Sequence, residues 1–148
     1  MVIRYKAQIY QYVGDEVVLS WKERDGLNNL ACIKLFRSFE EKLSKRKTFY
    51  ENKFGVVPVF KAGIDLGTVT VAEIGEIKRE IAYHGDVVNT ASRIEKMCNK
   101  LDRTLLFSEH VERKLNGARG IKCELLGDFD LRGREEKIKL YGLTQNGN

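Results

Sequence analysis

A single proline, Pro58, in 148 residues leaves no room for a proline-rich linker or a polyproline recognition segment. Cysteine is sparse too: Cys32, Cys98 and Cys123 form no C-x-x-C pair, and an odd number cannot all pair within one chain. A disulfide scaffold is thereby excluded, a reducing compartment is implied, and the thiols read as small core residues. No stretch approaches the roughly 20 apolar residues that a membrane span needs, and no charged-then-apolar leader opens the chain. Cytoplasmic placement without membrane contact from this segment is the expectation, including the case of a cytosolic domain in a longer, membrane-attached protein. Repeats, low-complexity runs and linkers rich in Gly or Ser are missing as well. The length then suits one domain over residues 1–148.

What is present is an ordinary globular composition, 43% hydrophobic and 32% charged, with a formal net charge of +5. A mild positive balance favours phosphate-bearing partners without choosing among them. Its densest cluster, Lys42, Lys45, Arg46 and Lys47, falls in a helix-like segment and reads as a solvated face. An RNA-binding sheet is the reading from a different class, but the aromatic RNP1 pattern is missing and exposed aromatics do not interleave with basic residues, so no nucleic-acid partner is expected.

Residues 3–12 and 16–21 are rich in Ile, Tyr, Val and Leu, and the Gly14–Asp15 pair between them predicts a hairpin turn. From Asp25, a candidate N-cap, apolar residues recur with helical spacing as far as Tyr50, predicting one long amphipathic helix that ends near Gly55 and Pro58. Residues 57–66 and 68–75 read as a second hairpin around Gly67. Asp86 is placed to cap a helix running to about Leu101, with Val87, Ala91, Ile94, Cys98 and Leu101 on its apolar face. A strand at 104–107, a brief helix capped by Ser108, and strands near 121–131 and 136–143 on either side of Gly133 complete the pattern. Helices alternating with hairpins predict an α+β fold, a ferredoxin-like mixed or antiparallel sheet with helices packed on one face.

Two features carry candidate chemistry. Asn89 and Arg93 lie one helical turn apart, on the face opposite the apolar one and in line with Lys96 and Lys100. An amide that holds a hydroxyl and a guanidinium that forks onto phosphate oxygens make a coherent pair, although polar helix faces often carry both residues. Asp15, at a hairpin tip, is an accessible carboxylate of the kind that binds Mg²⁺ together with substrate phosphates, and acids are also common in turns for conformational reasons.

Taken with their flanks, these features resemble the catalytic domain of class III adenylate and guanylate cyclases. The resemblance is carried by "YVGDEVVLSW", by "FKAGIDLGTVTVAEIGEIKREIAYHGDVVNTASRIEKMCNK" and by the closing "LLGDFDLRGREEKIKLYGL", in that order over nearly the whole chain. It implies that Asp15 is one of two metal-binding aspartates, that Asn89 orients the ribose, and that Arg93 stabilises the charged phosphorus centre. It further implies that Arg132 or Arg134 meets the terminal phosphates, where a solvated hairpin arginine is the equal alternative. The implied reaction is attack of the ribose 3′ hydroxyl on the α-phosphorus of a nucleoside triphosphate, with two Mg²⁺ or Mn²⁺ ions, giving a 3′,5′-cyclic monophosphate and pyrophosphate. The implied partner is a second copy of the chain, since family sites form between the metal ligands of one subunit and the Asn and Arg of the other.

The chain departs from the family pattern in three places. Nothing matches the family's first strand with its first metal aspartate, so residues 1–148 by themselves are expected to turn over little, as a fragment or as a shortened homologue. The positions that read the base hold Gln11, three residues before Gly14, and Ala82, seven before Asn89. Gln11 can donate and accept whereas Ala82 can do neither, so these positions leave adenine versus guanine open, and with it whether any base is read; ATP is the favoured substrate of the resemblance and GTP the other. Asp65 stands where His or another polar residue is usual, and no role is attached to it. Tyr83, His84 and Asp86 flank the Asn–Arg helix, with His84 read as structural. The second hypothesis is a catalytically silent cyclase-homology domain that binds nucleotide or dimerises.

Overall fold

The computed structural model describes residues 1–74, 80–115, 118, 120–131 and 135–144, and the side chains of 72–74 and 80–84 stand outside that description. A short 3-10 turn, Ile3–Tyr5, opens the chain and stops at Lys6, whose left-handed backbone (φ 57°) lets its amide bond Ile3. The first strand is therefore shorter than its hydrophobic pattern predicts: β1 runs Gln8–Val13 and pairs antiparallel with β2, Glu16–Ser20.

The expected long helix is three. Helix α1 (Glu23–Leu27) begins before Asp25, so Asp25 is an interior residue and not the cap. Leu30 adopts a left-handed conformation and resets the chain, α2 spans Ala31–Lys45, and α3 follows from Lys47 to Phe54 after a break at Arg46. Helices α1 and α2 bury Leu27, Cys32, Ile33 and Phe36 in one cluster, whereas α3 buries none of its residues, so the apolar periodicity continues past the packed part of the segment. Lys42, Lys45, Arg46 and Lys47 are all exposed, as a solvated face requires.

Gly67 does not turn a hairpin. Strand β3 (Ala62–Ile64) pairs parallel with β6 (Leu105–Ser108), while β4 (Thr70–Ile74) pairs antiparallel with β5 (Glu80–His84). The sequence showed where apolar runs lie, but the choice of partner is made by tertiary packing. Helix α4 (Asp86–Lys100) follows β5, α5 covers Glu109–Leu115, and β7 (Cys123–Phe129) and β8 (Ile138–Leu143) form the expected closing pair. The four-stranded mixed sheet has the order β3-β6-β8-β7, and β1-β2 and β4-β5 are separate two-stranded ladders.

This is the α+β class with a mixed sheet. Strand β6 shows how the helices are distributed on it. Leu105 and Phe107 join a buried cluster with Cys32, Ile33 and Phe36 of α2 and Val111 and Leu115 of α5. Leu106 points the other way, into a cluster with Ile94 and Cys98 of α4 and with Ile138 and Leu140 of β8. Side chains alternate along a strand, so α2 and α4 cover opposite faces of β6, and the helices are not gathered on one face as the sequence pattern predicts. Cys32 and Cys98 are buried free thiols in these two clusters, as small core residues should be.

Candidate active site

The β1-β2 hairpin closes in two residues, Gly14 and Asp15, between the paired Val13 and Glu16. Gly14 has φ +62° and Asp15 does not share that conformation. A positive φ at the first loop residue only is the type II′ pattern, which glycine adopts without steric cost. Asp15 is consequently held by the turn and exposed, along with Tyr12 and Val13. Gln11 sits two residues back from the turn glycine's neighbour, exposed on β1 opposite Val18 and just past a register shift after Ile9.

Helix α4 carries the second group. Gly85 precedes it at φ +149°, with Thr68 O only 3.1 Å from where a Cβ would stand, so the entry to the helix needs glycine. Asp86 is the first helical residue and not the cap, which is Gly85; an acid in the first turn complements the helix dipole. Thr90, Ile94 and Cys98 are buried, which fixes the rotation of the helix and turns Asn89, Lys96 and Lys100 to solvent, with Arg93 half-buried. The spacing of Asn89 and Arg93 thus places them one turn apart along one accessible side.

What lies beneath α4 explains how near it can come. A Cβ at Gly63 would overlap the Ala91 carbonyl oxygen and the Glu95 amide nitrogen, and a Cβ at Gly67 would stand 2.6 Å from Val87 Cγ2. The segment from β3 onward is therefore the bed of the helix, touching its first turn at Val87 and its second and third at Ala91 and Glu95.

Glu95 was not a candidate in the sequence. It is partly buried on α4, and burial pushes its carboxyl pKa up; Glu16 and Asp15 push it the same way, while Lys61 and Lys96 oppose them. The hairpin tip is accordingly within electrostatic reach of α4 in the same chain. No sequence signal pointed to this, because it depends on how the hairpin and the helix are placed in space.

The side chains of Asp15, Asn89 and Arg93 make no hydrogen bond or ion pair with another described residue. Ala82 lies on β5 at the rung opposite Ala72, with its side chain outside the described set. Arg132 and Arg134 fall outside the described residues, as does Gly133. Tyr83 and His84 are strand residues of β5 whose side chains are likewise not described. Among the described residues, no group of three or more His, Cys, Asp or Glu side chains comes together to hold a metal ion. Asp15 offers a hard, accessible carboxylate, suited to a divalent ion that takes its remaining oxygens from phosphate and water. By itself it is less than a closed cage.

A family model described as the adenylate and guanylate cyclase catalytic domain matches residues 30–145. The chain belongs to this class III cyclase catalytic-domain family. It is 34% identical over 143 residues to adenylate cyclase 2 of Rhizobium meliloti (strain 1021), which covers 97% of this chain and 39% of that protein. An adenylate cyclase of Anabaena cylindrica is 26% identical over 137 residues, 90% of this chain and 27% of its own length. This chain thus spans two fifths or less of these curated relatives. Among solved structures, the adenylyl cyclase CyaB from P. aeruginosa superposes with a TM-score of 0.79 at 18% identity, over 99% of this chain and 76% of that one. The guanylate cyclase domain of RhGC from Catenaria anguillulae, solved in complex with GTP, superposes with a TM-score of 0.63 at 18% identity, over 97% and 75%. These likenesses establish the fold.

Proposed function

We propose that the protein containing this domain converts a nucleoside triphosphate, ATP in preference to GTP, into its 3′,5′-cyclic monophosphate and pyrophosphate, at a site completed by a second copy of the chain. The observation that carries the reading is the pairing of family membership with an exposed Asp15 on a tight turn and, one helical turn apart on α4, an exposed Asn89 and a half-buried Arg93.

In this reading Asn89 holds the ribose so that its 3′ oxygen faces the α-phosphorus, converting a floppy encounter into a near-attack geometry. Arg93 places its guanidinium against the oxygens on which charge builds as the new bond forms; arginines in such positions are worth about 10³-fold or more in phosphoryl transfer. Asp15 would hold Mg²⁺ or Mn²⁺ arriving with the triphosphate, and such ions supply charge neutralisation at the entering and leaving oxygens. Gln11 faces the base, and its amide can both donate and accept, so it tolerates more than one purine edge. Arg132 or Arg134 is assigned to the terminal phosphates. Two-fold association is part of the proposal because Asp15 and the α4 pair make no bond to one another in one chain, and a symmetric partner offers the complementary half.

One observation favours a second reading. The described residues offer a single accessible carboxylate at the proposed metal position and no group of three metal-binding side chains. A domain that binds nucleotide or dimerises without turnover has the same surface. For the same reason, residues 1–148 by themselves are expected to show little turnover. The deciding experiment incubates the purified full-length protein with ATP or GTP and Mn²⁺ and measures cyclic nucleotide and pyrophosphate in equal amounts, with Asp15→Ala as control. Product that disappears in the control supports the cyclase; nucleotide binding without product supports the silent domain.

A further inference from the structure

Asp65 belongs to none of the groups above, yet its carboxylate is enclosed: its side chain is 4% exposed. Its Oδ1 accepts a hydrogen bond from the hydroxyl of the fully buried Ser108 at 2.6 Å and lies 3.2 Å from His110 Nδ1. A buried carboxylate is costly unless donors meet it, and here two do. The backbone explains the choice of partners. Strands β3 and β6 pair at Ala62↔Leu105, Gly63↔Leu106 and Ile64↔Phe107. Asp65 and Ser108 continue that register by one step after the ladder hydrogen bonds end, so a side-chain bond replaces the missing rung.

The position of this extra rung matters for α4. Gly63 and Gly67, two residues to either side of Asp65, are the points where the helix rests, against Ala91 and Glu95 and against Val87. Asn89 lies between the Val87 and Ala91 contacts, and Arg93 between Ala91 and Glu95. We infer that Asp65 is a positioning residue for the proposed reaction: by tying the β3 exit to Ser108 and His110 it fixes the bed on which α4 sits, and so the reach of Asn89 and Arg93. This rests on the cyclase reading given above. Small displacements of such groups weigh on the chemical step more than on binding, since orientation contributes mainly in the transition state.

The test uses the full-length protein with Asp65→Ala, Asp65→Asn and Ser108→Ala, assayed well below each variant's melting temperature and normalised to folded protein. Asp65→Asn keeps an Oδ1 that accepts from both partners. The expected result is a kcat lowered at least tenfold in Asp65→Ala, with KM for the triphosphate within about threefold, and recovery to within about threefold of the parent in Asp65→Asn. Ser108→Ala, which removes one donor and leaves the carboxylate, should fall between them and covers the case in which Asp65→Ala fails to fold. Hydrogen exchange provides a readout independent of activity: amides 89–95 should exchange at least tenfold faster in Asp65→Ala or Ser108→Ala, while those of α2 stay unchanged. A kcat per folded molecule within twofold of the parent, or exchange no faster in α4 than in α2, overturns the assignment. If the parent protein makes no cyclic nucleotide, the cyclase reading fails, and the exchange measurement alone decides whether Asp65 sets the bed of α4.

Discussion

Gly63 and Ala91 approach so closely that strand β3 and helix α4 touch backbone to backbone, with no side chain between them. The contact sets the depth of the helix that carries Asn89 and Arg93. Gly63→Ala should therefore force helix and strand apart. Overpacking of this kind costs about 1–3 kcal/mol, and more where backbone atoms must move; urea unfolding should show the loss, and nucleotide turnover should fall with it. A variant as stable as the parent would mean the contact is looser than the structure has it.

Phe107 is fully buried and fills the centre of the cluster between α2 and α5, with its ring stacked at 6.5 Å on Tyr141. Truncation to Ala is expected to cost about 3–5 kcal/mol, enough to leave a domain of this size only marginally folded. Chemical denaturation of the pair of proteins, with unchanged slope and a lowered midpoint, checks it.

Burial pushes the thiols of Cys32 and Cys98 up from an ordinary 9.0 to about 11. Both groups are neutral when protonated, and the unfolded chain ionises first. Their stabilising contribution is complete below pH 9 and is lost as pH climbs from about 9 through about 11. Melting temperature should drop over that interval, and Cys98→Ser should not reproduce the full drop. At pH 8, thiol reagents should label Cys123, which is only partly buried, well before Cys32 or Cys98.

Glu95 shifts in the same direction, at lower pH. Burial first, then Glu16 and Asp15, raise its carboxyl above the ordinary 4.5. The protonated form is the one the fold prefers, so its contribution is present below 4.5 and is lost as pH rises through the folded value. At neutral pH the charge is a small burden. Glu95→Gln should stabilise the protein by no more than about 1 kcal/mol at pH 7, given the solvent screening of this site, with the gain vanishing near pH 4. A stability loss at pH 7 would contradict this.

How much of this was legible beforehand depended on the range of the interaction. The Gly14–Asp15 turn, the span of α4 and the accessibility of Asn89 follow from local rules of turns and helical spacing, and the coordinates agree. The break at Leu30, where a leucine takes a left-handed conformation, has no local signature, and an unbroken helix was the natural expectation. Gly67 looked like a hairpin glycine and is instead the seat of Val87, because β3 found its partner in β6, some forty residues on. Ser108 stands just before α5, where the pattern places a cap, and what the pattern does not show is that it also closes β6 with its hydroxyl donated to Asp65. Asp65 and Glu95 went unassigned for one reason: each owes its surroundings to residues distant in sequence.

The proposed site joins Asp15 of one subunit to Asn89 and Arg93 of another. Full-length Asp15→Ala and Arg93→Ala proteins should each be inactive, and mixing them in equal amounts should restore about one quarter of the parent activity, since half the dimers would then hold one intact site of two. No recovery in a mixture shown to exchange subunits, or full activity in a strictly monomeric parent, would contradict the account.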